Sequence, residues 1–271
     1  NSRGYSWFQK WPTYKSCQDI NTMEKHWIKN YETIANSENR KIALAIAEAG
    51  LDAINTDLVI KRHIKLENDL LTINNKEFDL SKFRKIYVVG FGKCSCEAAF
   101  VLSEILKDKI DDGVVIGLAQ KICPRIRTFA GTHPRPSVGN FASGKEVYAM
   151  LESATENDLV ITIVSGGGSA LLCYPESECS QGERLYDTFL TRGKTINELN
   201  VVRKHLSLLK GGGLAKVAYP ATIIGLIFSD VPGDNFDEVA SGPTYKDTTT
   251  INDAQRIIDE NRLGVFDLIE T

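Results

Sequence analysis

Hydrophobic and polar positions along the chain switch repeatedly between two periods, and the switch points outline the elements. Lys85 to Val89 reads as a strand, and Glu97, Val101, Leu102, Ile105 and Leu106 then recur at helical spacing. Gly113 to Leu118 is a second strand. Phe141 to Ser153 forms a helix with Val147, Met150 and Leu151 on its apolar side. Leu159 to Val164 is apolar or β-branched throughout, the mark of a strand buried on both faces, and ends at Ser165. Thr195 to Leu209 predicts a helix opened by a capping box, Thr195 with Glu198, and striped by Leu199, Val202, Leu206 and Leu209. Thr222 to Phe228 is the last strand. Upstream, Arg40 to Ile54 predicts a helix broken near Asn55, Leu58 to Ile64 a short exposed segment, and Leu70 to Asn75 the strand and turn of a small hairpin. Strands alternating with helices predict an α/β fold: a three-layer αβα, Rossmann-like domain with a mostly parallel sheet.

Residues 1–22 carry Trp7, Phe8, Trp11, Pro12 and Tyr14 without a period, and Met23 is a natural initiator. The expected organisation is therefore an N-terminal extension over 1–38, partly disordered, followed by one domain over 39–271.

Composition narrows the classes. With 271 residues, 42% hydrophobic and 25% charged, the chain has the make-up of a soluble globular protein. A net charge of −3, with basic residues dispersed, gives no nucleic-acid-binding surface. The longest near-continuous apolar run, Ala221 to Phe228, is far short of a membrane span. The start shows no secretion signal, and the cysteines at 17, 94, 96, 123, 173 and 179 lack metal-site spacing. They are expected to be reduced thiols of a cytoplasmic protein.

The candidate chemistry falls where strands end. Gly90-Phe91-Gly92-Lys93 follows the first strand, with glycines that allow close backbone approach and a lysine beside a helix start. It is not a P-loop, whose glycines stand further apart. Nor is it a dinucleotide fingerprint, because Ser95 takes the third glycine position and Asp111 and Asp112 precede the next strand instead of ending it. Ser165-Gly166-Gly167-Gly168-Ser169 follows the buried strand and suits an anion nest; it lacks the second glycine of a hydrolase elbow. Asn200, Arg203, Ser207 and Lys210 repeat at the spacing of the neighbouring apolar stripe, which suggests anion binding by Arg203 and Lys210 at the edge of the core. His133, between Gly131 and two prolines, is presented from a loop, where it can hold a carboxylate or simply satisfy a backbone carbonyl. Asp230 ends the last strand, and Asp234 follows a Pro-Gly turn, a pair able to hold Mg²⁺ with substrate phosphates; Ser241 and Thr244 add hydroxyls in a second tight turn. Cations, nests and carboxylates on one sheet edge point to phosphoryl transfer assisted by Mg²⁺.

The runs G90-F-G-K-C-S, G131-T-H-P-R-P, S165-G-G-G-S-A-L-L, T195-I-N-E-L-N-V-V-R-K-H-L-S-L-L-K-G-G-G-L-A, S229-D-V-P-G-D and S241-G-P-T occur in the order found in the bacterial-type glycerate 2-kinases, often labelled hydroxypyruvate reductases. The chain resembles that family from about Arg40 onward. The resemblance implies ATP-dependent, Mg²⁺-assisted phosphorylation of D-glycerate to 2-phosphoglycerate. It makes Lys93 the catalytic cation, the glycine loops phosphate binders, and Arg203 a ligand of glycerate or phosphate oxygens. His133, Asn200 and Ser241 are the expected substrate contacts. Cys94, Cys96 and Arg135 depart from the family pattern, and the chain ends before the further C-terminal domain that the resemblance implies. A non-catalytic nucleotide- or metabolite-binding relative and an NAD(P)H-dependent hydroxypyruvate reductase are the alternative readings. A homodimer is carried as an expectation.

Overall fold

The computed structural model describes residues 26–192, 195–233 and 235–271. The chain divides into two compact units, Asn1–Ile54 and Asn55–Thr271. In the first, α1 (Tyr31–Ile34) and α2 (Glu38–Ala53) are joined by side-chain contacts from the segment before them. His26 stacks on Tyr31 at 3.6 Å and bonds Glu48 at 2.7 Å, while Trp27 donates to Asp52 at 2.7 Å.

The second unit opens with α3 (Thr56–His63), whose first turn is closed by the Asn55 carboxamide accepting from Leu58 N–H at 2.9 Å. The expected hairpin is a three-stranded antiparallel meander, β1 (Ile64–Glu67), β2 (Leu70–Ile73) and β3 (Lys76–Asp79). Asn74 and Asn75 both adopt left-handed backbone, as a two-residue hairpin turn requires.

The main body follows as β4 (Lys85–Phe91), α4 (Ser95–Leu106), β5 (Asp112–Gly117), β6 (Arg127–Ala130), α5 (Val138–Glu152), β7 (Asp158–Ser165), α6 (Gly168–Leu171), α7 (Glu176–Arg192), α8 (Ile196–Lys204), α9 (Gly213–Ala218), β8 (Thr222–Phe228) and α10 (Ile251–Glu260). Five strands form one wholly parallel sheet in the order β6-β5-β4-β7-β8. Counted from β4, that is 3-2-1-4-5, the doubly wound order, and its switch point lies between β4 and β7. Successive side chains along β4 go to opposite faces. Ile86 and Val88 pack with α3, α4 and the meander, and Tyr87, Val89 and Phe91 pack with α5 and α9, so the sheet is the middle of three layers. A third apolar cluster, including Leu185, Phe189, Leu199, Val202 and Ile257, binds α7, α8 and α10 together.

Two expectations are corrected. The predicted helix over Thr195–Leu209 stops at Lys204. Ser207 Oγ takes the Leu209 N–H at 3.1 Å and the Leu208 N–H goes to the Tyr174 carbonyl at 2.9 Å, so the donors that would extend the helix are diverted. The cysteines are not all reduced, because Cys173 and Cys179 form a disulfide across the start of α7; Cys94, Cys96 and Cys123 are free.

Candidate functional site

At the C-terminal ends of the strands a cleft of about 380 Å³ opens at the switch point. Its floor comes from the loops after β4 and β7, tied together by Lys93 N–H to the Gly166 carbonyl (2.9 Å) and Cys94 N–H to Ser165 Oγ (3.3 Å). Gly92, at φ 128°, makes that approach possible, since any Cβ there would overlap Ser165. Gly167 is left-handed at φ 84°, and a Cβ on it would lie 3.0 Å from the His133 ring and 3.2 Å from Lys93 Cε. A Cβ on Gly166 would overlap the Asp230 carboxylate. Among the described residues, the amides of Gly167 and Ser169, which line the cleft, have no backbone acceptor, which leaves them for an anion.

The wall beyond β7 is braced from behind. Asn140, fully buried in α5, receives Thr132 N–H at 3.0 Å and donates to the Thr132 and Ala170 carbonyls at 2.9 and 2.8 Å, stapling the His133 loop to α6. Ala240, Ser241 and Gly242 are three consecutive left-handed residues, held by Gly211 and Gly212 amides bonding the Ser241 and Gly242 carbonyls at 2.9 and 2.8 Å. Strain of this kind, two non-glycine residues in succession, persists only where the surroundings enforce it. It sets the Ser241 hydroxyl 2.9 Å from Ser169 Oγ and 3.4 Å from Asn200 Oδ1.

The charges in the cleft stand free. Among the described residues, neither Lys93 nor Arg203 has a carboxylate within ion-pair distance, and Asp230 has no cation within it. Burial lowers the Arg203 pKa to about 10, with Glu178 and Tyr186 opposing, so the guanidinium stays charged at neutral pH. Partial desolvation, followed by the charges of Lys93 and Arg203, lowers the His133 pKa against the pull of Asp230, which keeps its imidazole neutral at pH 7.

The structure thus brings Lys93, His133, Gly166, Gly167, Ser169, Asn200, Arg203 and Asp230 to one cleft. Others among the expected residues lie elsewhere. Gly90 is inside β4, where a Cβ would press on Val115 at 3.0 Å, so it is a packing glycine and not a phosphate ligand. Gly92 and Ser165 are buried beneath the floor, and Gly168 is pressed against Ala240. Lys210 is fully buried, its ammonium on Glu178 and on the Leu172 carbonyl at 2.6 Å, so it cannot reach a nucleotide. Ser241 is buried too, and supports Ser169 and Asn200 without facing the cleft. Asp234 lies outside the described residues. Sequence reasoning missed Tyr186 of α7, which lines the cleft with its ring 5.8 Å from the Arg203 guanidinium; its one signal is its place beside the buried pair Leu185 and Phe189.

Ser95 closes the dinucleotide question. It is buried, with its hydroxyl 2.7 Å from the carbonyls of both Gly92 and Ile116, and no acidic residue ends β5. For Mg²⁺, no three His, Cys, Asp or Glu side chains converge among the described residues. The carboxylates of Asp230 and Glu238 beside free amides and cations nevertheless suit an ion that takes most of its shell from water and phosphate.

The model of a family described as a domain of unknown function, DUF4147, matches residues 42–268. The chain belongs to the DUF4147 family. Within curated proteins, this DUF4147 chain is 38% identical to a "Glycerate 2-kinase" of Pyrococcus horikoshii over 81% of its own length and 50% of the relative's. It is 39% identical to a "Putative hydroxypyruvate reductase" of Agrobacterium vitis over 63% of its length and 40% of that protein's. The crystal structure of a glycerate kinase from Thermotoga maritima superposes with a TM-score of 0.72 at 28% identity, covering 84% of this chain and 53% of the other. The resemblance to glycerate 2-kinases and the αβα fold read from the motifs are borne out. The chain spans about half the length of these relatives. No helix among the described residues is long and apolar enough to cross a membrane.

Proposed function

We propose that this chain is the Rossmann-like half, residues 39–271, of a cytoplasmic ATP-dependent D-glycerate 2-kinase that makes 2-phosphoglycerate. The observation that carries this reading is the gathering of two unpaired cations, free loop amides and the carboxylates of Asp230 and Glu238, without ion pairs among the described residues, at the switch point of a parallel sheet. Such a site is made for polyanions, and phosphoryl transfer needs mainly positioning and charge stabilisation. The relatives' names, glycerate 2-kinase and glycerate kinase, supply the acceptor.

In this reading the amides of Gly167 and Ser169 cradle phosphate oxygens. Lys93, exposed and unpaired, lies against Gly167 and neutralises charge on the group in transfer. His133, neutral at pH 7, hydrogen-bonds the acceptor together with Asn200, and Arg203 answers an anionic group. Asp230, with Asp234 as the expected second carboxylate, would hold Mg²⁺, which would supply positive charge against the nucleotide phosphates. Assembly as a homodimer belongs to the same reading.

The test is glycerate-dependent ADP formation from Mg-ATP by the longest chain the gene encodes, with the phosphoglycerate isomer identified by NMR. The expected result is 2-phosphoglycerate. NADH-dependent reduction of hydroxypyruvate, or nucleotide binding without any turnover of glycerate, would remove the kinase assignment.

A further inference from the structure

Two motifs stand behind the cleft and hold each other, the glycine triplet after α8 and the turn that begins at Ala240. The amides of Gly211 and Gly212 bond the carbonyls of Ser241 and Gly242 at 2.9 and 2.8 Å, and a Cβ on Gly212 would lie 2.9 Å from the Tyr245 carbonyl. From the other side the Ala240 methyl abuts Gly168, where an added Cβ would lie 2.5 Å from it. The triplet is therefore a clamp and not an anion site. What it clamps is backbone with Ala240 at φ 53° and Ser241 at φ 61°, a conformation that L side chains rarely adopt and that glycine takes readily.

A strained position that keeps a serine where glycine would relax it directs attention to the hydroxyl. Ser241 is fully buried, and its Oγ lies 2.9 Å from Ser169 Oγ on α6 and 3.4 Å from Asn200 Oδ1 on α8. A carboxamide oxygen only accepts, so Ser241 donates to Asn200 and its own oxygen accepts from Ser169. The direction of this chain fixes what the cleft meets. The Asn200 NH₂ has no partner among the described residues and is left as a donor, while Ser169, its proton already given, offers lone pairs alone.

We infer that Ser241 is a positioning residue: through one buried hydroxyl it joins α6 to α8 and sets the polarity of two groups on the cleft wall, Asn200 as donor and Ser169 as acceptor. The kinetic consequence rests on the kinase reading, in which Asn200 contacts the acceptor; the direction of the hydrogen bonds does not.

The test compares Ser241→Ala with Ser241→Gly in the longest chain the gene encodes. Both remove the hydroxyl, but only glycine also removes the left-handed strain. Both variants are expected to raise KM for D-glycerate about tenfold and to leave KM for Mg-ATP within about twofold, while the urea midpoint of Ser241→Gly stays above that of Ser241→Ala. A loss of folded enzyme would instead lower kcat in step with the midpoints and leave both KM values alone. In the Asn200→Ala background, removing the hydroxyl as well is expected to raise the glycerate KM by less than about twofold more, because Ser241 acts through Asn200. A glycerate KM within about twofold of the parent in both variants, or a second loss of about tenfold in the Asn200→Ala background, overturns the inference. Should Ser241→Ala fail to fold, Ser241→Gly decides alone. A crystal structure of Ser241→Gly adds a reading free of turnover: the Asn200 carboxamide is expected to leave the position it holds in the parent, and one that stays in place overturns the inference. A displaced carboxamide, in an enzyme whose parent does not phosphorylate glycerate, would sink the kinase reading and keep this one.

Discussion

The two ends of the parallel sheet are both lined with charge, yet they use it in opposite ways. At the ends where the strands begin, a depression of about 480 Å³ is ringed by Asp111, Asp112, Arg127 and Glu146. There most of the charges are spent on each other, while the exposed Lys85 lies over the Tyr87 ring at 6.0 Å. Arg127 bridges Asp112 at 3.2 Å and Glu146, Asp111 accepts the Ile86 N–H at 2.8 Å, and nearby Arg84 holds Asp158 at 2.9 Å. At the ends where the strands finish, the smaller cleft leaves Lys93, Arg203 and Asp230 without ion pairs among the described residues, beside left-handed backbone at Gly167, Ala240 and Ser241. Size does not separate a working cleft from a structural hollow; unspent charge and enforced strain do.

The sharpest way to break this contrast is to move a paired charge, and Lys210 is the best placed. Lys210→Met keeps the stem's bulk and strands Glu178 in the interior, so it is expected to cost about 3–5 kcal/mol, while Lys210→Met with Glu178→Leu recovers most of that. Urea midpoints of the single and double variants check it. A single variant within about 1 kcal/mol of the parent would show that the pair is not structural.

Lys93 is the opposite case, a lysine whose charge has nothing to lose in the folded state. Lys93→Ala is expected to leave the melting temperature unchanged and to cut turnover with glycerate about 10²–10³-fold, with only a modest effect on nucleotide affinity. Unchanged turnover would take Lys93 out of the mechanism.

These two lysines also mark how far the sequence could be read. The parallel sheet was legible because strands such as Leu159–Val164 are apolar throughout, and Lys93 because a glycine turn after a strand places its neighbours at a sheet edge. Lys210 is misread from sequence because its spacing assumes a helix running through Ser207, where side-chain and tertiary acceptors take the backbone donors. Its partner Glu178 is 32 residues away, and sequence spacing carries no signal for a pairing at that range. Glycines told a similar story: Gly167 serves the cleft, whereas Gly90, Gly92 and Gly168 are demanded by neighbouring atoms that only the fold brings close. The Cys173–Cys179 bond was hidden for another reason, since the start of α7 sets the two Cα atoms 5.9 Å apart, whereas the expectation rested on irregular spacing and on compartment.

The mildest test lies at the start of β7. Asp158 is fully buried; Arg84 donates to both of its oxygens at 3.2 and 2.9 Å, and Thr155 donates through N–H and hydroxyl at 2.8 and 2.9 Å. Burial pushes the carboxyl pKa up, but these hydrogen bonds outweigh it and hold the group below its ordinary 3.8. The unfolded chain therefore binds the proton first as pH falls. The stabilisation is complete above pH 3.8 and is lost as pH drops through the lower, folded value. Asp158→Asn turns an amide NH₂ toward Arg84 or Thr155, donors on either side, and is expected to cost about 2 kcal/mol at pH 7, with Arg84's exposure keeping the figure modest. The difference from the parent should shrink as pH is lowered below 3.8, because the parent alone loses that contribution. A constant gap between the two stability curves from pH 7 to pH 2.5 would mean that Asp158 contributes shape and not charge, and that the base of the sheet is held by packing instead of by its ion pairs.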